Sequence, residues 1–186
     1  IDAVPMSAAR RNRLKGELQF IRAFRYHDLL RNYGKVVLLG DKVYEVSDNL
    51  TSPELFQRSE IKAGLDYAMA QLDEAAALLP ASNDNGTWKL GRATKGAALA
   101  LKSRLALYAA SPLYNAGTWQ QAAAAAKAVM DLNKYSLYAG GYGNLFVTTD
   151  NQEIIFGRLY AVGARHVCLE ISNGPNGYNA WGGNVP

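Results

Sequence analysis

His166, Cys168 and Glu170 set nitrogen, sulfur and oxygen donors at period two. On an extended strand all three point to one face, where they could ligate a metal or place a cysteine nucleophile beside a base. Donors two apart on one strand diverge by about 7 Å, so they would need ligands from elsewhere to share an ion. The only other histidine, His27, falls in a helical stretch. A strand with Cys168 packed inward explains the same run without chemistry. A second pattern is "GRATKGAALALKSRLALYAASPLY", residues 91–114, in which Gly91 and Gly96 have the spacing of a phosphate-binding loop. Such a loop then requires Lys and Ser/Thr. Ala97 and Ala98 stand there instead, and Lys95 comes one residue early. Charge and magnesium hydroxyl are both missing from the cradle, so the stretch reads as architecture. Asn83-Asp84-Asn85-Gly86 lacks the closing glutamate of a calcium loop and reads as a turn.

A sugar binder needs flat aromatic faces for pyranose C–H groups and amides for hydroxyls. Tyr178, Asn179, Trp181 and Asn184 bring both kinds together in a glycine-rich stretch. The alternative is that Trp181 only packs the loop onto the rest of the protein. Trp88, beside the polar "SNDNG" stretch, is expected to be exposed, as a ligand platform or as a cover for helix ends. Tyr114 and Asn115 form a weaker pair, and Trp119 is expected in the core.

The elements that must position these residues are helices. Ser7 can cap a first helix ending near Tyr33, with Gly34 closing it. Its expected inward stripe is Leu14, Leu18, Ile21 and Leu29, with Phe20, Phe24, Tyr26 and Leu30 on its sides and the stem of Arg25 lying along it. Ser52-Pro53-Glu54 predicts the start of a second helix, whose face is Ile61, Leu65, Ala68, Leu72, Ala75 and Leu79 before Pro80 stops it. Thr94 can cap a third helix facing inward through Ala97, Leu101, Leu105 and Tyr108. Thr118 and Gln121 have capping-box spacing for a fourth, with Trp119, Ala122, Ala126 and Val129 along one side. The alanines let helices three and four approach closely, and their joint span is about one tetratricopeptide repeat. After Asn133 the chain turns aromatic and glycine-rich. "QEIIFGRLYAV" and "RHVCLEIS" read as short strands.

Composition narrows the function. The chain has 186 residues, 49% hydrophobic and 19% charged, the balance of a packed domain. A net charge of +4, with Arg10, Arg11, Arg13 and Lys15 as the densest basic run, is a solvated helix face and no nucleic-acid footprint. One cysteine excludes an internal disulfide and a multi-cysteine metal site. No apolar run reaches the roughly twenty residues that cross a bilayer. Both ends read as the interior of a longer chain.

The segments "FIRAFRYHDLLRNYGKVVLL", "DEAAALLP", "GRATKGAALALKSRLALY", "AAAAAKAVMDLNKYSLY", "EIIFGRLY" and "WGGN", in that order, resemble the SusD/RagB family of outer-membrane nutrient-binding lipoproteins. The resemblance implies a mainly α-helical, tetratricopeptide-like fold, a helical layer over residues 1–135 and a loop and short-strand segment over 136–186 of the same domain. It implies non-catalytic capture of oligosaccharide or polysaccharide, or peptide in some members, beside a SusC-like TonB-dependent transporter on the outer face of the outer membrane. Attachment would be through a lipidated cysteine upstream of this chain; Cys168 is too far inside to serve. No cofactor or metal is expected. The candidate ligand contacts are Trp181, Tyr178, Asn179, Asn184 and Trp88. The remaining alternative is a helical-repeat scaffold that binds only protein.

Overall fold

A computed structural model describes residues 1–49, 51–53, 55–83, 90–148 and 151–159. Within them lie five helices: α1 (Ala8–Tyr33), α2 (Ile61–Leu78), α3 (Lys95–Ala110), α4 (Trp119–Met130) and the single turn α5 (Tyr142–Leu145). Ile1–Phe156 is one compact unit; of a second, Gly157–Pro186, only residues 157–159 are described.

The caps are where local sequence places them. The Ser7 hydroxyl accepts from Arg10 N–H, and Gly34, at φ 70°, closes α1. Thr94 Oγ1 accepts from Ala97 N–H at 3.2 Å. Thr118 and Gln121 complete a reciprocal capping box, at 3.2 and 2.9 Å. Leu79, held extended by the following Pro80, ends α2.

Packing is sequential and antiparallel. The first turns of α1 meet the last of α2: a Cβ on Gly16 would come within 2.9 Å of Leu79 Cγ and 3.0 Å of Leu78 Cβ. At the other end a Cβ on Gly64 would come within 2.7 Å of Leu30 Cδ2. These bare backbones set the α1–α2 approach and thereby the face of α1 that is buried. Gly16, Phe20, Ala23, Tyr26, His27 and Leu30 point inward, while Leu18, Ile21 and Leu29 are about half exposed. The expected leucine stripe is therefore not the core face, because close contact selects small residues and leaves the leucines outside. Arg25 is exposed.

The α2 face is the expected one, with Leu65, Ala68, Leu72, Ala75 and Leu79 buried. Its start is not. Ser52 and Pro53 carbonyls accept from Leu55 and Phe56 N–H in a turn, and the helix begins only at Ile61. Ser59 donates both its N–H (2.8 Å) and its hydroxyl (2.9 Å) to the Val36 carbonyl. That tertiary tie fixes the chain just before α2, and Glu60 follows as an N-cap with no side-chain cap bond. The extended stretch after α1 is pinned by Tyr26, whose hydroxyl donates to Val37 O and accepts from Leu39 N–H, both at 3.2 Å.

α3 fills the middle: Ala97, Leu101 and Leu105 are buried as expected, and Tyr108 sits at the rim. Ala106 and Ala110 meet Ala122 and Ala125 of α4, beside Met69. Of the expected side of α4, Ala122 is buried in this contact, whereas Ala126 is exposed and Trp119 is 58% exposed rather than core. The fold is all helical among the described residues. The strand expected from "QEIIFGRLYAV" is, over its described residues 152–159, a set of turns and irregular chain. One main-chain bond, Ser136 N–H to Gln152 O at 3.2 Å, is too little to make a ladder. "RHVCLEIS" lies outside the described residues.

Candidate functional site

The phosphate-loop look-alike is structural. Gly91 takes φ 90°, a turn open to glycine. Gly96 lies under the Tyr135 ring, and any side chain there would overlap it. Lys95 N–H donates to Pro80 O at 2.8 Å, and Ala97 and Ala98 are buried. The start of α3 is closed by protein and has no room for a phosphate. Arg92 clasps Glu17 of α1 through both carboxylate oxygens, locking the same turn onto the stack.

Tyr135 also lines a crevice of about 200 Å³ with Ser82, Asn83, Leu90, Lys134, Asn151, Gln152, Ile154 and Ile155. Asn133, at φ 50°, turns the chain out of α4 and into this region. Polar side chains then stitch it. Ser136 Oγ donates to Gln152 Oε1 at 2.9 Å, and Glu153 Oε2 accepts from Tyr138 N–H at 2.8 Å. Asn151 Nδ2 donates to Leu145 O (3.2 Å) and Thr148 O (3.0 Å). Asn144 Nδ2 donates to Gly140 O at 2.9 Å. Phe156 closes the segment onto α1, edge-on to Phe20 at 5.0 Å. On the surface this segment displays Tyr142 and Phe146, 82% and 70% exposed.

A second concavity, about 540 Å³, runs between α2, α3 and α4. Alanines 70, 106, 109, 124, 125 and 128 line it, and the Asp73–Lys102 (2.6 Å) and Asp66–Lys62 (2.6 Å) pairs stand beside it. It carries no aromatic face.

Among the sequence candidates, Trp88, Tyr178, Asn179, Trp181 and Asn184 lie outside the described residues, as do His166, Cys168 and Glu170. Tyr114 is absorbed by the core: its hydroxyl donates to Leu30 O at 3.1 Å and its ring sits edge-on to Tyr108. Asn115 is an exposed turn residue at φ 46°. Tyr142 and Phe146 escaped the sequence reading, although their spacing of four in a glycine-rich run is the signal that pairs them on one helical turn.

His27 is 5% exposed, and neither ring nitrogen has a hydrogen-bond partner. Burial holds its imidazole below the ordinary value; Asp28 opposes this, and Arg31 and Arg104 add to it. Its neighbours Leu30, Leu65, Leu105 and Tyr108 leave no space for a ligand, so it is a neutral core histidine. Among the described residues no group of three or more His, Cys, Asp or Glu could hold a metal ion, and no helix is long and apolar enough to cross a membrane.

A family model described as starch-binding and associating with the outer membrane matches residues 3–107, more than half of the chain. The chain belongs to the SusD-like family. That family is carbohydrate-binding and non-catalytic. The SusD-like chain is similar to a SusD-like protein from Bacteroides fragilis, at 34% identity and a TM-score of 0.71 over 86% of its length. It is similar as well to a SusD-like carbohydrate-binding protein from the same organism, at 26% identity and a TM-score of 0.69 over 86%. A laminarin-binding SusD-like protein matches 83% at 25% identity, with a TM-score of 0.63. The chain spans 29% of each of the first two structures and 32% of the third. No curated protein matches it.

Proposed function

We propose that this chain is part of a glycan-binding surface lipoprotein that captures oligosaccharide or polysaccharide for a SusC-like, TonB-dependent transporter in the outer membrane. Anchorage would be by a lipid upstream of the chain, on the outer leaflet. The observation that carries the reading is the family match over residues 3–107, supported by the likeness to a structure whose protein binds laminarin. The helical stack acts in it as a frame that presents ligand contacts without transforming the ligand. Trp181, Tyr178, Asn179, Asn184 and Trp88 are the proposed contacts, aromatic faces for pyranose rings and amides for hydroxyls.

Affinity electrophoresis of the complete protein in gels containing laminarin, starch or other neutral polysaccharides tests this. Retardation is expected, weakened by Trp181→Ala at unchanged thermal stability. A second reading, a scaffold for a protein partner alone, is favoured by the alanine-lined groove between α2, α3 and α4. Mobility unaffected by every glycan, together with retained binding to the transporter, would replace the first reading with the second.

A further inference from the structure

Where α1 meets α3 and the turn after it, the stack encloses a titratable group that makes no bond. His27 is buried, and both its ring nitrogens are closed off from solvent without a hydrogen-bond partner. Leu30, Leu65, Leu105, Tyr108 and Tyr114 make that seal and leave no room for a water molecule beside the ring. Nothing outside this chain can therefore reach the nitrogens unless the junction moves. A dry imidazole with two unbonded nitrogens holds a fold less well than an aliphatic side chain would, so its presence calls for a reason other than packing.

The charges around the ring are unevenly set. Among the described residues Asp28 is the carboxylate within ion-pair distance, its Oδ1 3.7 Å from His27 Nδ1, and it is shared with Arg31 at 3.8 Å. Arg104 adds a second cation from α3, while Leu65 of α2 and the rings of Tyr108 and Tyr114 bring no formal charge. A proton on His27 would face two guanidinium groups with one carboxylate to offset them, away from water. The junction is clasped by Tyr114, whose hydroxyl donates to Leu30 O at 3.1 Å. Tyr114 moves with α3, because Tyr114 and Asn115 N–H donate to Ser111 O and Ala116 N–H donates to Ala109 O. His27, Tyr108 and Tyr114 stand ring beside ring at 5.9 and 6.1 Å, so a shift of the imidazole is passed to the clasp. Elsewhere α1 packs on α2 and meets α3 little, which leaves this corner free to part without the rest.

We propose that His27 is an acid-operated latch: on taking a proton it turns toward the Asp28 carboxylate, releases Arg31 and frees the Tyr114 hydroxyl from Leu30. The end of α3 and its turn then part from α1 while the rest of the stack stays folded. The latch stands apart from the glycan-binding reading. It is tested on the complete protein by following the His27 ring signal in nuclear magnetic resonance against pH, with far-ultraviolet circular dichroism as the measure of folding. The signal is assigned by its loss in His27→Gln or in the apolar His27→Leu. His27 should titrate below about pH 6.5 with the helical signal intact. Amide exchange at residues 105–116, scaled to the intrinsic rate at each pH, should rise about tenfold per pH unit from there to the midpoint, since each opening takes up one proton. The histidine variants should lack that rise. Tyr114→Phe, which loosens the clasp and keeps the ring, should raise the His27 midpoint by about 0.4 to 1 unit, and Asp28→Asn should lower it. A midpoint that coincides with loss of the helical signal makes His27 an inert core residue and overturns the latch. Titration in the folded protein with exchange at 105–116 unchanged overturns it too, because the ring then takes its proton in place. A Tyr114→Phe midpoint equal to that of the wild type has the same consequence.

Discussion

Along α1 to α4 the close contacts are apolar and turn inward; from Ser136 to Thr148 the close contacts are polar, and Leu137, Tyr142, Phe146 and Val147 turn outward while Tyr138 and Leu145 are half-buried. Leu30, Leu65, Leu72 and Leu105 are almost wholly buried, each removing enough surface from water to contribute about 1.5–3 kcal/mol. Leu137, Tyr142, Phe146 and Val147 are all well exposed, and the chain there is held by side-chain to backbone hydrogen bonds. Each such bond nets about 0.5–1.5 kcal/mol. The difference is one of cohesion: burial of apolar side chains holds the stack, and side-chain hydrogen bonds hold the region after α4.

The largest effect should come from breaking the stack at its centre. Leu101→Asp places an unpaired carboxylate among buried apolar groups and should cost several kcal/mol, abolishing cooperative thermal unfolding followed by circular dichroism. Unchanged unfolding would mean that the stack is not the source of stability.

Gly16→Ala comes next. Helix propensity favours alanine by up to about 1 kcal/mol. Here, however, the new methyl meets Leu78 Cβ and Leu79 Cγ, atoms too near the backbone to swing aside. Overpacking of about 1–3 kcal/mol should prevail, read as a lower denaturant midpoint. A gain in stability would show that α1 and α2 can separate freely.

A smaller, pH-dependent effect should come from His27. Its folded pKa is depressed below 6.5, so the unfolded chain takes the proton more readily. Its contribution is therefore complete above about pH 6.5 and lost as pH falls from there through the lower folded value. The thermal midpoint should decline across that window, and His27→Leu should flatten the decline. An identical slope in the variant would assign the decline to carboxylates instead.

The smallest global effect is expected in the loop region. Asn151→Ala removes the bonds to Leu145 and Thr148 carbonyls. Amide exchange at 142–148 should accelerate while the midpoint of global unfolding stays nearly constant. A matching fall in global stability would merge the two regions into one cooperative unit.

Much of the stack was legible because its signals are local. Ser7, Thr94 and Thr118 cap the helices they appear to cap, and Pro80 ends α2, since each acts within one turn of its own position. The candidate site was legible only as a type of chemistry. Amides and aromatics could be picked out, but which aromatics face water depends on how the helices turn. Trp119, expected inside, and Tyr142 with Phe146, not singled out at all, illustrate this.

The amino-acid order alone determined the four long helices, the caps of α1, α3 and α4, most of the α2 and α3 core faces and the architectural nature of the two-glycine stretch. It also carried the family resemblance, because these are properties of neighbours in the chain. Tertiary structure decided where α2 begins, since Ser59 is tied to Val36 twenty-three residues away. It decided which side of α1 is buried, since Gly16 and Gly64 let the backbones close and turned the leucines outward. In each case the deciding atom belongs to a partner that local periodicity does not contain.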